Sequence, residues 1–327
     1  MSQDIEKLPS FKVFDYRIRT NKNTERKMLA DAFRRVSGFE SVEKYRYIGF
    51  GSVTFTDFVL FHKSLNITDM ISIESKEEYE TRFDFNKPYD CIKMKYGNSN
   101  DVLPELGWNQ KTITWLDYDG RLTDFVLQDV ALLSAKSISG SLIIVTVNAQ
   151  GYQSPKGEKS YPKIEKFFLK KFSEQLVREV PTWVKGVDLQ GDEMANTCRR
   201  IIYDEIKASL RDRNGMAAAD DVLEFEPLFN FVYSDNARML TAGGILYKHN
   251  ESSILRKCEF DALDFIQKDL YEIKIPVITP RERHFLNQQL PKGALNKLKD
   301  IGLTDDEIKN YSRSYRYSPS YAEIELS

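Results

Sequence analysis

Residues 45–74, YRYIGFGSVTFTDFVLFHKSLNITDMISIE, restrict the fold more than any other stretch of the chain. A short apolar run, Tyr47-Ile48, is broken by Gly49-Phe50-Gly51-Ser52. An amphipathic segment follows over 54–65, and a second apolar run, Met70-Ile71-Ser72-Ile73, stops at Glu74. Strand, glycine turn, helix, strand and terminal acid is the order of a βαβ nucleotide-binding half-fold. The glycines let a backbone approach a ligand closely, and the next helix offers unpaired N–H groups at its start. A carboxylate at the tip of the second strand is placed to accept both hydroxyls of a ribose.

The same grammar continues along the chain. Residues 23–36, NTERKMLADAFRRV, predict a helix capped at Asn23 or Thr24, with Met28, Leu29, Ala32, Phe33 and Val36 as its apolar stripe. Such a helix would pack on the sheet and roof a ligand crevice. Residues 75–83 carry a short acidic helical pattern closed by Asn86-Lys87-Pro88, and 90–95 alternate as a third strand that runs into Gly97-Asn98-Ser99. A β-branched strand over 111–116 ends in Asp117-Tyr118-Asp119-Gly120. A helix is expected over 123–135, and the most apolar strand, 142–147, stops at Asn148. Five strands alternating with helices imply a parallel sheet covered on both faces. Ligand contacts then belong at the carboxyl ends, where Gly49, Glu74, Asn98, Asp117 and Asn148 fall.

Beyond Asn148 the pattern changes. Residues 151–159 predict a polar loop, and 164–180 and 195–213 two charged amphipathic helices, making a helical insertion over 151–215. Residues 224–247 return to strand character, with Ser234-Asp235-Asn236 as a tight turn. The expected fold class is α/β: a Rossmann-like, doubly wound, mostly parallel sheet with an antiparallel C-terminal strand pair, a helical insertion and a small C-terminal appendage. Residues 1–250 are assigned to the Rossmann-like domain and 251–327 to an appendage for acceptor specificity or partner binding. Within the appendage, 297–311 predicts an αα-hairpin whose second helix opens on Asp305-Asp306-Glu307, good capping and poor chemistry for a DNA groove. The tail's tyrosines and arginines either pin it to the core or stack on bases.

Charge and cysteine usage narrow the function classes. A net charge of −2 over 327 residues gives no global polyanion signal, so a nucleic-acid acceptor stays open without being indicated. Cys91, Cys198 and Cys258 are odd in number and widely spaced, which argues against a disulfide framework or zinc site and for a reducing compartment. No apolar run approaches a membrane span, and the first residues are too charged for a signal peptide, so a cytoplasmic location without membrane partner is expected. His62, His249 and His284 have no carboxylate at fixed spacing, which disfavours a histidine base.

The ordered strand ends resemble those of class I S-adenosylmethionine-dependent methyltransferases, over residues 45–148 and more loosely 224–247. The resemblance implies a cofactor site made by Gly49, Phe50, Gly51 and Ser52 at the glycine turn, Glu74 on the ribose, and Asn98 and Ser99 beside the adenine. Asp117 would stand near the methyl donor, as both a binding and a catalytic group. The usual leading acid and third glycine of the first motif are absent, Tyr47 and Val53-Thr54-Phe55 standing in that neighbourhood, with Asp57 as a candidate substitute acid. A narrower similarity, to metal-dependent catechol-type O-methyltransferases, implies Mg²⁺ on Asp117, Asp119 and Asn148 as hard oxygen ligands. In that comparison Val147 replaces a ligand acid. The Asp/Asn-Pro-Pro-aromatic signature of amino-methyltransferases is not present in Asp117-Tyr118-Asp119-Gly120.

The expected function is methyl transfer from S-adenosylmethionine to an oxygen of a small molecule or protein. Two rivals stand beside it. One is a non-catalytic scaffold of the same fold that binds a nucleotide-like ligand, or a protein partner through its C-terminal part. The other is a nucleic-acid methyltransferase. A dinucleotide enzyme is disfavoured because GFGS lacks the full GxGxxG.

Overall fold

The computed structural model describes residues 18–291 and 302–320. In chain order the first half contains α1 (Thr20–Arg34), β1 (Arg46–Gly49), α2 (Thr56–Leu65), β2 (Asp69–Glu74), α3 (Glu80–Asn86), β3 (Ile92–Tyr96), α4 (Ser99–Val102), β4 (Thr112–Arg121), α5 (Asp124–Lys136) and β5 (Leu142–Asn148). The second half contains α6 (Tyr161–Leu176), α7 (Glu193–Asn214), β6 (Leu223–Ser234), β7 (Arg238–Lys248), α8 (Ser252–Lys257), β8 (Tyr271–Ile273), α9 (Pro280–Gln289) and α10 (Asp305–Ser314). The strands form one eight-stranded sheet in the order β3-β2-β1-β4-β5-β7-β6-β8. β1 to β5 are parallel to one another, and β7 runs against them between β5 and β6. The antiparallel C-terminal pair is therefore a hairpin turning at Ser234-Asp235-Asn236, in which β7 alone opposes the rest of the sheet.

Alternation along the strands sorts the core into two layers. Ile48, Ile71, Ile73, Leu116, Ile143, Val145 and Val147 face α5, α6 and α7, whose buried side chains include Val130, Phe168, Phe172 and Ile202. Tyr47, Met70, Ile113, Trp115 and Ile144 face the opposite way, onto Leu29 and Phe33 of α1 and Phe58 and Phe61 of α2. Both faces of the sheet are covered, as the near-continuous apolar strands require.

Four details depart from the sequence reading. α1 begins at Thr20, and no side chain of its own caps it. Asp235, in the β6–β7 turn, accepts from Asn21 N at 3.2 Å and Lys22 N at 3.1 Å, so the cap comes from across the fold. β4 runs on to Arg121, past the expected end at Leu116, with its pairing to β5 shifted between Asp117 and Arg121. β8 is a three-residue edge strand beside β6 that periodicity gave no reason to expect. α6 starts at Tyr161 and ends at Leu176, with Val177 at its C-cap in a left-handed φ, rather than running over 164–180.

Of the expected αα-hairpin, the second helix is α10, with Thr304 and Glu307 forming its capping box. Residues 297–301 of that hairpin lie outside the described residues. The tail is pinned to the core over its described part, which ends at Ser320: Tyr317 Oη donates to Asp31 at 2.7 Å, and the Arg313 guanidinium lies 4.4 Å from the Tyr271 ring centroid. Among the described residues no helix is long and apolar enough to cross a membrane.

Candidate functional site

A cavity of about 300 Å³ opens at the carboxyl ends of β1 to β4. Phe50, Gly51, Ser52, Glu74, Asn98, Ser99, Asp117 and Asp119 all line it. Gly49 and Asn148 do not. Gly49 instead presses on the sheet, where an added Cβ would lie 2.6 Å from the Tyr47 hydroxyl and 3.0 Å from the Trp115 carbonyl. Asn148 accepts a hydrogen bond from Gln150 N at 2.9 Å beyond the end of β5.

The glycine turn is held from below. Gly51 N donates to Ser72 Oγ at 3.0 Å and Ser52 N to Glu74 Oε1 at 2.5 Å, both acceptors being on β2. A Cβ on Gly51 would fall 2.6 Å from both Phe55 Cδ1 and Ser72 Oγ, so only glycine fits without movement. Ser52 and Phe55 take left-handed φ values of +52° and +47°, uncommon for residues with a side chain and tolerated here because the turn is tied on both sides. Burial pushes the Glu74 carboxyl up to about 7, against the backbone N–H donors that favour its charge.

On the next turn, Ser99 and Tyr118 both donate to Asp129 of α5, with Asn100 completing the set. Burial raises the Asp129 carboxyl. This cluster ties α4 to α5 and fixes Tyr118, whose ring meets Phe50 edge-on at 5.2 Å between centroids. The two sides of the cavity floor are thus joined by an aromatic contact.

Beneath Asp117 lies a buried polar network. Lys22 Nζ, with no exposed side-chain surface, contacts Asp117 Oδ1 at 2.7 Å and Glu25 Oε2 at 2.9 Å, and stands 4.3 Å from the Trp115 ring centroid. Glu25 accepts from Thr241, which meets Thr146 at 2.7 Å, and Thr146 accepts from Trp115 Nε1 at 2.9 Å. Burial raises the Glu25 carboxyl, Lys22 only partly opposing it. One turn on, Arg26 Nε donates to Asp57 Oδ1, and both partners line the cavity while 3% and 5% exposed.

Lys22, Glu25 and Arg26 fall outside the sequence reading of the site, although α1 itself was expected to roof it. The signal was present: with spacing i, i+3, i+4 they extend the stripe of Leu29 and Phe33, so three charges stand on a buried helix face. Such charges need partners, and the sheet supplies them.

The expected magnesium set is not supported. Asp117 is ion-paired with Lys22, Asn148 lies off the cavity, and among the described residues no group of three or more His, Cys, Asp or Glu is placed to hold a metal ion. His249 does meet a carboxylate, Glu224 at 2.6 Å, but on the β6–β7 hairpin away from the cavity.

A sequence-family profile described as "Putative O-methyltransferase" matches residues 14–326. The chain belongs to this family. Together with the sheet order, this places it among the class I S-adenosylmethionine-dependent methyltransferases. No curated protein matches the sequence. Among solved structures, DesVI of Streptomyces venezuelae is similar at 13% identity and a TM-score of 0.38, covering 72% of this chain and 98% of DesVI. An O-methyltransferase family protein from Burkholderia thailandensis is similar at 10% identity and a TM-score of 0.33, covering 68% of this chain and 56% of that one. LepI, solved with S-adenosylhomocysteine and a substrate analogue, is similar at 10% identity and a TM-score of 0.34, over 62% of this chain and 43% of LepI. The chain thus spans about half the length of the last two.

Proposed function

We propose that the protein transfers a methyl group from S-adenosylmethionine to an oxygen of a small molecule or protein. The observation that carries this reading is the cavity beside the glycine turn, with Glu74 at the tip of β2 in its wall. Asp57, Glu74, Asp117 and Asp119 line it with Arg26 and Lys76, and Lys22 stands on Asp117, so four carboxyl groups, Glu74 among them with its carboxyl lifted to about 7, face three cations. A sulfonium cofactor without phosphates is compatible with such a lining, whose cations are largely paired with its own carboxylates and leave no basic cluster for the pyrophosphate of a dinucleotide. Gly51, with Phe55 and Ser72 packed where a side chain would go, holds the turn close to β2 at the edge of the cavity.

When bound, the cofactor supplies an electrophilic methyl group. The chain's own residues then have the tasks of holding and aligning. Glu74 fixes the turn through Ser52 N and stands at the tip of β2, where ribose hydroxyls donate to a carboxylate. Asn98 and Ser99 border the opposite side, with Ser99 held by Asp129. Asp117 has Oδ1 committed to Lys22, so its part is to accept a hydrogen bond from the acceptor hydroxyl and fix its line of approach. The C-terminal elements around β8 and α10 are assigned to acceptor choice.

The test is transfer of a labelled methyl group from S-adenosylmethionine to panels of hydroxylated and carboxylated small molecules, proteins and nucleic acids. Label on oxygen, lost in Glu74→Ala and strongly reduced in Asp117→Asn, is expected. Label in nucleic acid alone would move the acceptor class, and cofactor binding without transfer to any panel would favour the scaffold.

A further inference from the structure

A second cavity, of about 260 Å³, lies between α1, α2 and the chain just past α10, and it shares no lining residue with the first. Its polar lining is Lys27, Asp31 and Arg34 of α1, Ser64 of α2, and Arg316 and Tyr317 of the tail. Three cations therefore face one carboxylate, and that carboxylate is already committed. Asp31 accepts from the Tyr317 hydroxyl at 2.7 Å through Oδ2 and meets Arg34 Nη1 at 3.5 Å through Oδ1. Among the described residues neither Lys27 nor Arg316 has a carboxylate within ion-pair distance. Arg316 Nε donates to Tyr315 Oη at 3.2 Å, and Asp264, outside the lining, favours its charge only from further off.

Lys27 is half-buried, and burial, helped by the charge of Arg283 on α9, pulls its ammonium below the ordinary value. Like charges gathered in one hollow repel one another, and a half-buried ammonium lacking a counter-ion is disfavoured. A purely structural groove between two helices and a tail would be filled as well or better by apolar side chains. What relieves the excess is an anion with several oxygens, which can take guanidinium, ammonium and hydroxyl donors on different sides at once. A phosphate group has that form. The rest of the lining, Ala30 and Leu60, is apolar, and the volume falls just below the roughly 300–1,000 Å³ of ordinary small-molecule pockets, so the ligand is small.

We infer that Lys27, Arg34, Ser64 and Arg316 form a binding site for a phosphate group, carried by a small monoester or free as inorganic phosphate. The site stands apart from the cofactor reading, since the two cavities have no residue in common. Its occupant joins the tail to α1, the helix that also carries Lys22 and Arg26 to the first cavity.

The experiment is calorimetric titration of the full chain with inorganic phosphate and with glycerol 3-phosphate, at about pH 8 and with ionic strength held constant by chloride. One saturable site per chain is expected. Lys27→Met and Arg316→Met should each weaken it about ten- to a hundredfold. Lys76→Met, which removes a cation of the first cavity, should leave it unchanged. Asp31→Asn keeps an acceptor for Tyr317 while removing the negative charge, and should bind several-fold more tightly. Without phosphate, Lys27→Met should unfold at a temperature no lower than wild type, because it sheds only repulsion, so its loss of binding is not a loss of fold. Tighter binding of glycerol 3-phosphate assigns the site to an ester, and equal or weaker binding assigns it to the free ion. No saturable binding of either probe, or saturable binding that survives both Lys27→Met and Arg316→Met, overturns the inference.

Discussion

Glu74 offers a prediction whose sign is opposite in two assays. Its Oε1 lies 2.5 Å from Ser52 N, and burial lifts its carboxyl from the ordinary 4.5 to about 7. Between those values the native state holds a proton that the unfolded chain has released. The native state therefore binds more protons, and stability falls as pH rises through this window, then levels off above it. At ~1.4 kcal/mol per pH unit the span sets an upper limit of roughly 3 kcal/mol on the stability lost. Glu74→Gln cannot ionise and should lack that loss. Urea unfolding of both proteins from about pH 5 to about pH 8 isolates the effect as a difference, since the other carboxylates titrate alike in both. Wild type should lose up to ~3 kcal/mol relative to the variant on going up in pH. Cofactor affinity should move the other way, because ribose hydroxyls donate to an ionised carboxylate. The dissociation constant of S-adenosylhomocysteine should rise about tenfold per pH unit below 7 in wild type and stay nearly flat in Glu74→Gln. A stability difference that does not change with pH would refute the claim that burial sets the Glu74 carboxyl. An affinity indifferent to pH would remove its ribose role.

Two further perturbations probe the floor and wall of the cavity. Gly51→Ala puts a methyl group 2.6 Å from Phe55 Cδ1 and Ser72 Oγ, so the turn must shift, at a cost of ~1–3 kcal/mol in thermal or urea unfolding and with at least about tenfold weaker binding of S-adenosylhomocysteine. Lys22→Met leaves Glu25 buried and Asp117 partly buried without their counter-ion and should cost about 3–5 kcal/mol by urea unfolding, less whatever Glu25 recovers by taking up a proton. The double variant Lys22→Met/Glu25→Gln should regain part of that loss, and a single variant as stable as wild type would contradict the network.

The elements around the cavity were legible because their signals are local. Tyr47-Ile48, the glycines and Met70 to Glu74 announce strand, turn and strand within thirty residues, and the structure places Glu74 at the tip of β2. What stayed hidden depends on distant partners. Asn23 and Thr24 look like caps, but α1 is capped by Asp235 from the β6–β7 turn, a pairing that no local spacing encodes. Lys22, Glu25 and Arg26 extend the apolar stripe of α1, but nothing local names the partners, Asp117, Thr241 and Asp57, that the fold brings to them. Asn148 was grouped with Asp117 because both end apolar runs. The shifted pairing between β4 and β5 sets Asn148 opposite Arg121, and it falls outside the cavity.

The central claim is that the carboxylate-lined cavity at the ends of β1 to β4 is a cofactor site. The measurement that reaches it most directly is calorimetric binding of S-adenosylhomocysteine, with NAD as competitor, to wild type and to Glu74→Ala at about pH 8. One site per chain, lost or weakened at least about a hundredfold in Glu74→Ala and untouched by NAD, is the predicted result. Binding of NAD in place of S-adenosylhomocysteine, or equal binding by wild type and Glu74→Ala, would contradict it.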